Sequence, residues 1–111
     1  MLDPHRRAAE ALSLAESLGL DPGAVLGLVE QGAAGSWMLS DRGPRMLAGT
    51  DVEVTSTIGI FVKDSSLVSD AARSVSADTP LLEVARDRYR RAADAGLAGR
   101  DDSRVIETYS R

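Results

Sequence analysis

Cysteine is absent from the 111 residues, which excludes disulfides and thiolate metal sites. Histidine occurs once, at His5, so no multi-histidine metal site can be assembled. A triad built on His5 would depend on a side chain close to a fraying chain end. No apolar run approaches the length of a membrane span, and the N-terminus lacks the apolar core of a signal peptide. A cytoplasmic protein with no membrane partner is therefore expected. No glycine-rich loop stands between a strand and a helix, which leaves neither a dinucleotide fingerprint nor a phosphate loop. The formal charge of -4 argues against nucleic acid as a partner. Lysine is nearly absent too: of the 13 basic residues, Lys63 is the only lysine and the other twelve are arginine. Arginine-favouring base composition accounts for this. So does a need at position 63 for an ammonium point charge that a guanidinium fork cannot imitate.

What is present is a pattern of short amphipathic helices. Hydrophobic residues make up 43% of the chain, enough for one globular domain spanning 1–111. Ala8, Ala11, Leu12, Ala15 and Leu18 recur at three- and four-residue steps, which predicts a first helix stopped by Gly19. Asp21-Pro22 supplies an N-cap and a first-turn proline for a second helix, with Val25, Leu28 and Val29 facing inward. Ser36 caps a third from Trp37, which Pro44 is expected to kink or end near Arg42. Residues 48–57 read as a loop. Ile58, Phe61, Val68, Ala72 and Val75 predict a fourth helix with Ser65 on the same stripe. Thr79-Pro80 opens a fifth with the stripe Leu82, Ala85, Tyr89 and Ala92, ended by Gly96. Asp101 or Asp102 caps a last short helix bearing Val105, Ile106 and Tyr109. About six helices and no strand pair define an all-α, bundle-like single domain.

Most candidate sites have a plainer reading. Asp101 and Asp102 could act as a carboxylate pair, but adjacent acids ahead of a helix more often cap its amides. Arg86, Arg88, Arg90 and Arg91 could bind phosphate, but the interleaved acids suit a solvated face. Trp37 reads as a core anchor, with a cleft-lining role as the alternative. Lys63-Asp64 stands apart. Each residue turns a helix by about 100°, so Lys63 lies about 200° from Ser65 and points away from the core.

At these residues the sequence resembles the C-terminal domain of the 3-hydroxyisobutyrate dehydrogenase family, the β-hydroxyacid dehydrogenases, and within it the L-threonate dehydrogenase-like branch. The resemblance rests on Glu10-Ala11-Leu12 through Leu20-Asp21-Pro22, Gly35-Ser36-Trp37-Met38 with Pro44-Arg45-Met46-Leu47, Ile60-Phe61-Val62-Lys63-Asp64, and Asp101-Asp102-Ser103 before Val105-Ile106. It implies a helical domain like the C-terminal domain of 6-phosphogluconate dehydrogenase, packed beside a Rossmann domain with the active site between them. It also implies NAD or NADP as cofactor and a small β-hydroxyacid as substrate. Lys63, with Asp64 beside it, is then cofactor-binding, near the nicotinamide end. The family's catalytic lysine and its Rossmann domain are expected to lie outside this chain, leaving no catalytic residue of its own. The family's Lys-Asp-Leu-Gly motif, which ends in an Asp matched here by Asp70, is altered at Ser65-Ser66.

Two functions follow. One is part of an NAD(P)-dependent dehydrogenase, inactive as this isolated chain and with weak or no cofactor binding alone. The other is a stand-alone, non-enzymatic helical dimerisation module. A shortened first helix would expose apolar surface, so a homodimer is expected in either case.

Overall fold

The structure is a computed structural model that describes residues 2–109, with side chains for residues 7–109. The His5 side chain lies outside that set. The helices are α1 (Leu2–Ser17), α2 (Pro22–Val29), α3 (Trp37–Leu47), α4 (Ile58–Ser74) and α5 (Pro80–Ala92). Ala93–Leu97 continues the coil of α5 as far as Gly96, whose φ of +88° breaks it, and a 3-10 helix, Asp102–Tyr109, follows. Among the described residues there is no strand, only an isolated bridge between Thr57 and Asp101. The all-α expectation holds.

The α1 helix sits at the centre, touching α2, α3, α5 and the 3-10 helix. Its buried stripe is Ala8, Ala9, Leu12 and Ala15, and such small side chains let neighbouring helices approach closely. Ala11 and Leu18, expected on this stripe, are exposed. Leu18 lies one residue past the end of α1, its amide still donating to the Leu14 carbonyl at 3.0 Å, just before Gly19 turns the chain at φ +79°. In α2 the Asp21 cap forms as read, accepting from Gly23 N at 3.0 Å. The buried residue is Leu26, however, while Val25 and Val29 are half-buried and Leu28 is exposed. Gly43 of α3 explains the rotation. A Cβ there would lie 2.6 Å from Leu26 Cδ1, so the bare glycine lets Leu26 seat against α3 without shifting.

Pro44 does not end α3, which runs on to Leu47. Its missing amide falls opposite the Ser40 carbonyl, and both residues are exposed, so water can substitute. Trp37 is not a core residue: it is 70% exposed, with the Arg42 guanidinium 6.0 Å from its ring centre.

The fourth helix shows the largest departure. Ile58, Phe61, Ser65 and Ser69 are buried, whereas Val68 and Val75 face out. A seven-residue spacing drifts by about 20° per repeat on a 3.6-residue helix, and residues 61, 65 and 69 hold the true inner face. The serines fit because α5 lies close. Ser69 Oγ donates to Glu83 at 2.6 Å, a bond that holds the Glu83 carboxyl below its usual pKa against the opposing effect of desolvation. Ser65 Oγ donates to the Val62 carbonyl three residues back, at 3.1 Å, rather than four. In α5 the stripe is as expected, with Ala85, Tyr89 and Ala92 buried, and Tyr89 stacks on Phe61 at 5.2 Å. Thr79 makes no side-chain cap bond.

The arginine run of α5 is not uniformly solvated. Arg86 reaches Glu83 and Ser66, and Arg88 lies 4.1 Å over the Tyr109 ring while donating to the Thr108 carbonyl. Only Arg90 and Arg91 face solvent, with Arg91 3.6 Å from Asp87.

Candidate functional site

The entry to α4 is held more tightly than the loop reading implies. A helix starts with unsatisfied amides, and these commonly bind anions. Here the amides of the first turn are already taken. Ile58 N donates to the Arg100 carbonyl at 3.1 Å, Gly59 N to the Ala98 carbonyl at 2.9 Å, and Ile60 N to Thr57 Oγ1 at 3.2 Å. Gly59 suits this contact, since a Cβ there would lie 3.2 Å from the Ala98 carbonyl oxygen and push it back by a few tenths of an ångström. The N-terminus of α4 therefore has no free amides for a phosphate. Positive charge on its outer face comes from a side chain instead.

That side chain is Lys63. It is exposed, on the face opposite Ser65, and has no ion-pair partner among the described residues. Asp64 is exposed beside it. Asp70, the end of the motif, is also exposed and approaches only Arg73, at 3.9 Å. Lys63 and Asp64 thus share one helix turn, and no other described charge converges on them. A cavity of about 560 Å³ opens between α1, α2, α3 and the 3-10 helix, and one of about 280 Å³ between α1 and the α2–α3 loop. Lys63 lines neither.

The polar centre that sequence reasoning undervalued is the pair Asp101–Asp102. Both are buried. Asp101 does cap the 3-10 helix, accepting from Ser103 N at 3.2 Å and from the Ser103 hydroxyl. It also accepts from Arg45 Nη2 at 2.8 Å, Arg45 Nε at 3.3 Å and Thr55 N at 2.9 Å. Burial pushes the Asp101 carboxyl up, but the bonds from Arg45, Ser103 and Thr55 outweigh it and hold the group well below the usual carboxylate range. Asp102 takes Arg42 Nε at 3.0 Å. Arg104, also buried, donates to the Met46 and Arg45 carbonyls at 2.6 and 2.9 Å at the C-terminal end of α3, where Arg45 O also accepts from Ala48 N at 3.3 Å. The signal was present as two acids in the last helix and two arginines at 42 and 45. Nothing in the spacing joined segments almost sixty residues apart.

This network has the character of a structural clamp. Its carboxylates are saturated by arginine, and no described group of three His, Cys, Asp or Glu residues could hold a metal ion. It ties α3, the 53–57 segment and the 3-10 helix together, and so fixes where α4 begins. Among the described residues no helix is long and apolar enough to cross a membrane.

Fold and helix placement define the class. The chain superposes on the 3-hydroxyisobutyrate dehydrogenase of Salmonella typhimurium with a TM-score of 0.87 and 34% identity, covering 96% of this chain and 37% of that one. The Mycobacterium tuberculosis 3-hydroxyisobutyrate dehydrogenase, crystallised with L-serine, also gives 0.87 at 28% identity, covering 99% and 40%. The chain belongs to the family described as NAD-binding of NADP-dependent 3-hydroxyisobutyrate dehydrogenase, whose sequence model matches residues 6–109. An L-threonate dehydrogenase of Cupriavidus necator is 39% identical over 102 residues, 92% of this chain and 34% of that protein. One from Escherichia coli K12 is 35% identical over the same length. The chain spans about a third of the length of these relatives.

Proposed function

We propose that this domain is the helical half of an NAD(P)-dependent oxidoreductase acting on a small β-hydroxyacid, and that it forms one wall of the cofactor and substrate cleft. The observation that carries this is the exposed Lys63, without an ion-pair partner among the described residues, on a helix whose first-turn amides are already satisfied. When bound, the nicotinamide supplies the hydride acceptor or donor. Lys63 then acts as a three-donor point charge that can hold a ribose, phosphate or carboxylate oxygen. Asp64 can accept from a neighbouring hydroxyl. The substrate class is supported by the chemistry of the similar proteins. L-threonate, 3-hydroxyisobutyrate and L-serine all carry a hydroxyl on the carbon β to the carboxylate.

Neither a phosphate-cradling loop nor the family's catalytic lysine has a counterpart in the 111 residues. The isolated chain is therefore expected to bind NADH more weakly than about 1 mM, equivalent to only about 4 kcal/mol. Calorimetry showing micromolar affinity would overturn this. Fusion to the dinucleotide-binding domain of the C. necator relative should confer oxidation of a β-hydroxyacid, and a fusion that folds but never turns over would count against the assignment.

A second element of the proposal is self-association. Leu14, Leu18, Leu20 and Leu28, on α1, α2 and the turn between them, are each more than half exposed. Burying them between two copies would contribute to a homodimer, with roughly 25 cal/mol gained per Å² of apolar area. Sedimentation at high micromolar concentration should show the dimer; a monomer throughout would remove this part. The same surface is what a stand-alone dimerisation module would use, and that alternative predicts no turnover in the fusion.

A further inference from the structure

The way into α4 is held by polar bonds rather than by burial. No side chain from Leu47 to Thr57 is buried, so no core residue anchors this stretch. Its backbone is joined instead, almost residue by residue, to Arg45 and the 98–102 segment. Arg45 donates to the Glu53 carbonyl while paired with Asp101. Thr55 N donates to Asp101 Oδ1 at 2.9 Å, Asp102 N to the Ser56 carbonyl at 2.7 Å, and Thr57 bridges Asp101. The Ile58 and Gly59 amides continue the series onto the Arg100 and Ala98 carbonyls. The Asp101 carboxylate is the hub, shared by Arg45 of α3, Thr55 and Ser103.

Buried ion pairs are a poor source of stability, since apolar residues of similar volume often do as well or better. They are directional, however, and fix a geometry that apolar contact leaves free to slide. Here that geometry reaches Lys63. A Cβ at Gly59 would point at the Ala98 carbonyl oxygen, 3.2 Å away, so this side of α4 faces the 98–100 segment. Four residues on, Lys63 falls within about 40° of Gly59 and about 6 Å further along the axis. The stack of Phe61 on Tyr89 holds α4 to α5 from nearly the opposite side. The 98–102 segment is left to set the rotation of the Lys63 face.

We infer that Asp101 is a positioning residue, which through Thr55 and the 98–102 segment sets the angle at which α4 presents Lys63 to the cofactor. That role rests on the cofactor reading of Lys63 given above and supplies what holds the lysine in place. Asp101 is buried, so it acts only through the helix.

Two variants test this. Asp101→Asn keeps the size of the side chain but turns one acceptor into a donor, opposed to Arg45 or the Ser103 amide. Arg45→Lys is the milder change, at a half-buried position, and replaces a fork that spans Glu53 and Asp101 with one ammonium group. If Asp101→Asn does not fold, Arg45→Lys carries every measurement. Each is made in the fusion to the C. necator dinucleotide-binding domain, with Lys63 and with Lys63→Ala. With Lys63 present, KM for the preferred of NADH and NADPH should rise at least fivefold, while kcat stays within twofold. With Lys63→Ala, the same change should move KM by less than twofold, because residues acting through one contact are not additive. In the 111-residue chain, hydrogen exchange is compared between two sets of amides. Exchange at Ile58, Gly59 and Ile60 should quicken at least tenfold more than at Leu12 and Tyr89. An equal loss in both Lys63 backgrounds overturns the inference, as does a fall in kcat alone. So does exchange that quickens evenly through all the helices, which marks a clamp serving stability only. Failure of the Lys63 reading looks different: Lys63→Ala alone leaves KM unchanged before Asp101 is altered, and both ideas fall together.

Discussion

Replacing Asp101 with alanine is expected to destabilise the domain by about 3–5 kcal/mol, the usual cost of removing one member of a buried, hydrogen-bonded ion pair. The side chain has no exposed surface, and its loss strands the half-buried Arg45 guanidinium together with the Thr55 and Ser103 amides. A domain of ordinary stability has only about 5–15 kcal/mol in total. The melting temperature should therefore fall by more than about 10 °C. Asp101→Asn keeps one acceptor oxygen and should fall between the two. The pH dependence has a definite sign. The folded-state pKa lies below the unfolded value of about 3.9. Its contribution is therefore complete above that value and is lost as pH falls below it. Asp101→Asn should flatten this acid limb. A loss under about 1 kcal/mol for Asp101→Ala, in urea titrations at pH 7, would mean that water replaces the carboxylate and that the clamp is not structural.

The second large effect concerns Lys63 in the fused enzyme. A hydrogen bond to a charged group contributes about 1.5–3 kcal/mol, so Lys63→Ala should lower kcat/KM by about tenfold to a hundredfold. Lys63→Arg should recover only part of this, because the fork places its donors differently. Stability should be unchanged in both, since the side chain is exposed and has no ion-pair partner among the described residues. Steady-state kinetics with NADH and NADPH, alongside thermal melts, would separate the cases. Unchanged kcat/KM for Lys63→Ala would leave the residue as surface decoration.

The helices and most of their borders were legible in the sequence because caps and turn residues act locally. Asp21, Ser36, Gly19 and Gly96 work through bonds or backbone angles within a few residues and stand at the expected junctions, whereas the Thr57 cap of α4 was not foreseen and the expected Thr79 cap makes no side-chain bond. Which face turns inward was less legible. Hydrophobicity assigned Val68 and Val75 to the core and treated Ser65 as an anomaly. In fact α5 approaches closely enough that small hydroxyl side chains fit there, bonded to Val62 and Glu83. The same logic placed Trp37 inside when it lies outside. The Arg45–Asp101 pairing was invisible because its partners are 56 positions apart, and only the fold brings them together. Lys63 was singled out by its rarity together with its helical angle to Ser65, two local signals.

The exposed indole of Trp37 decides how this domain can be watched. It is the sole tryptophan and already meets solvent in the native state. Its fluorescence should hardly change in colour when the chain unfolds, which makes the usual optical signal of denaturation nearly silent. Helical circular dichroism is the informative channel for the clamp variants. The indole's quiet baseline leaves its emission free to report any molecule that comes to rest on the start of α3.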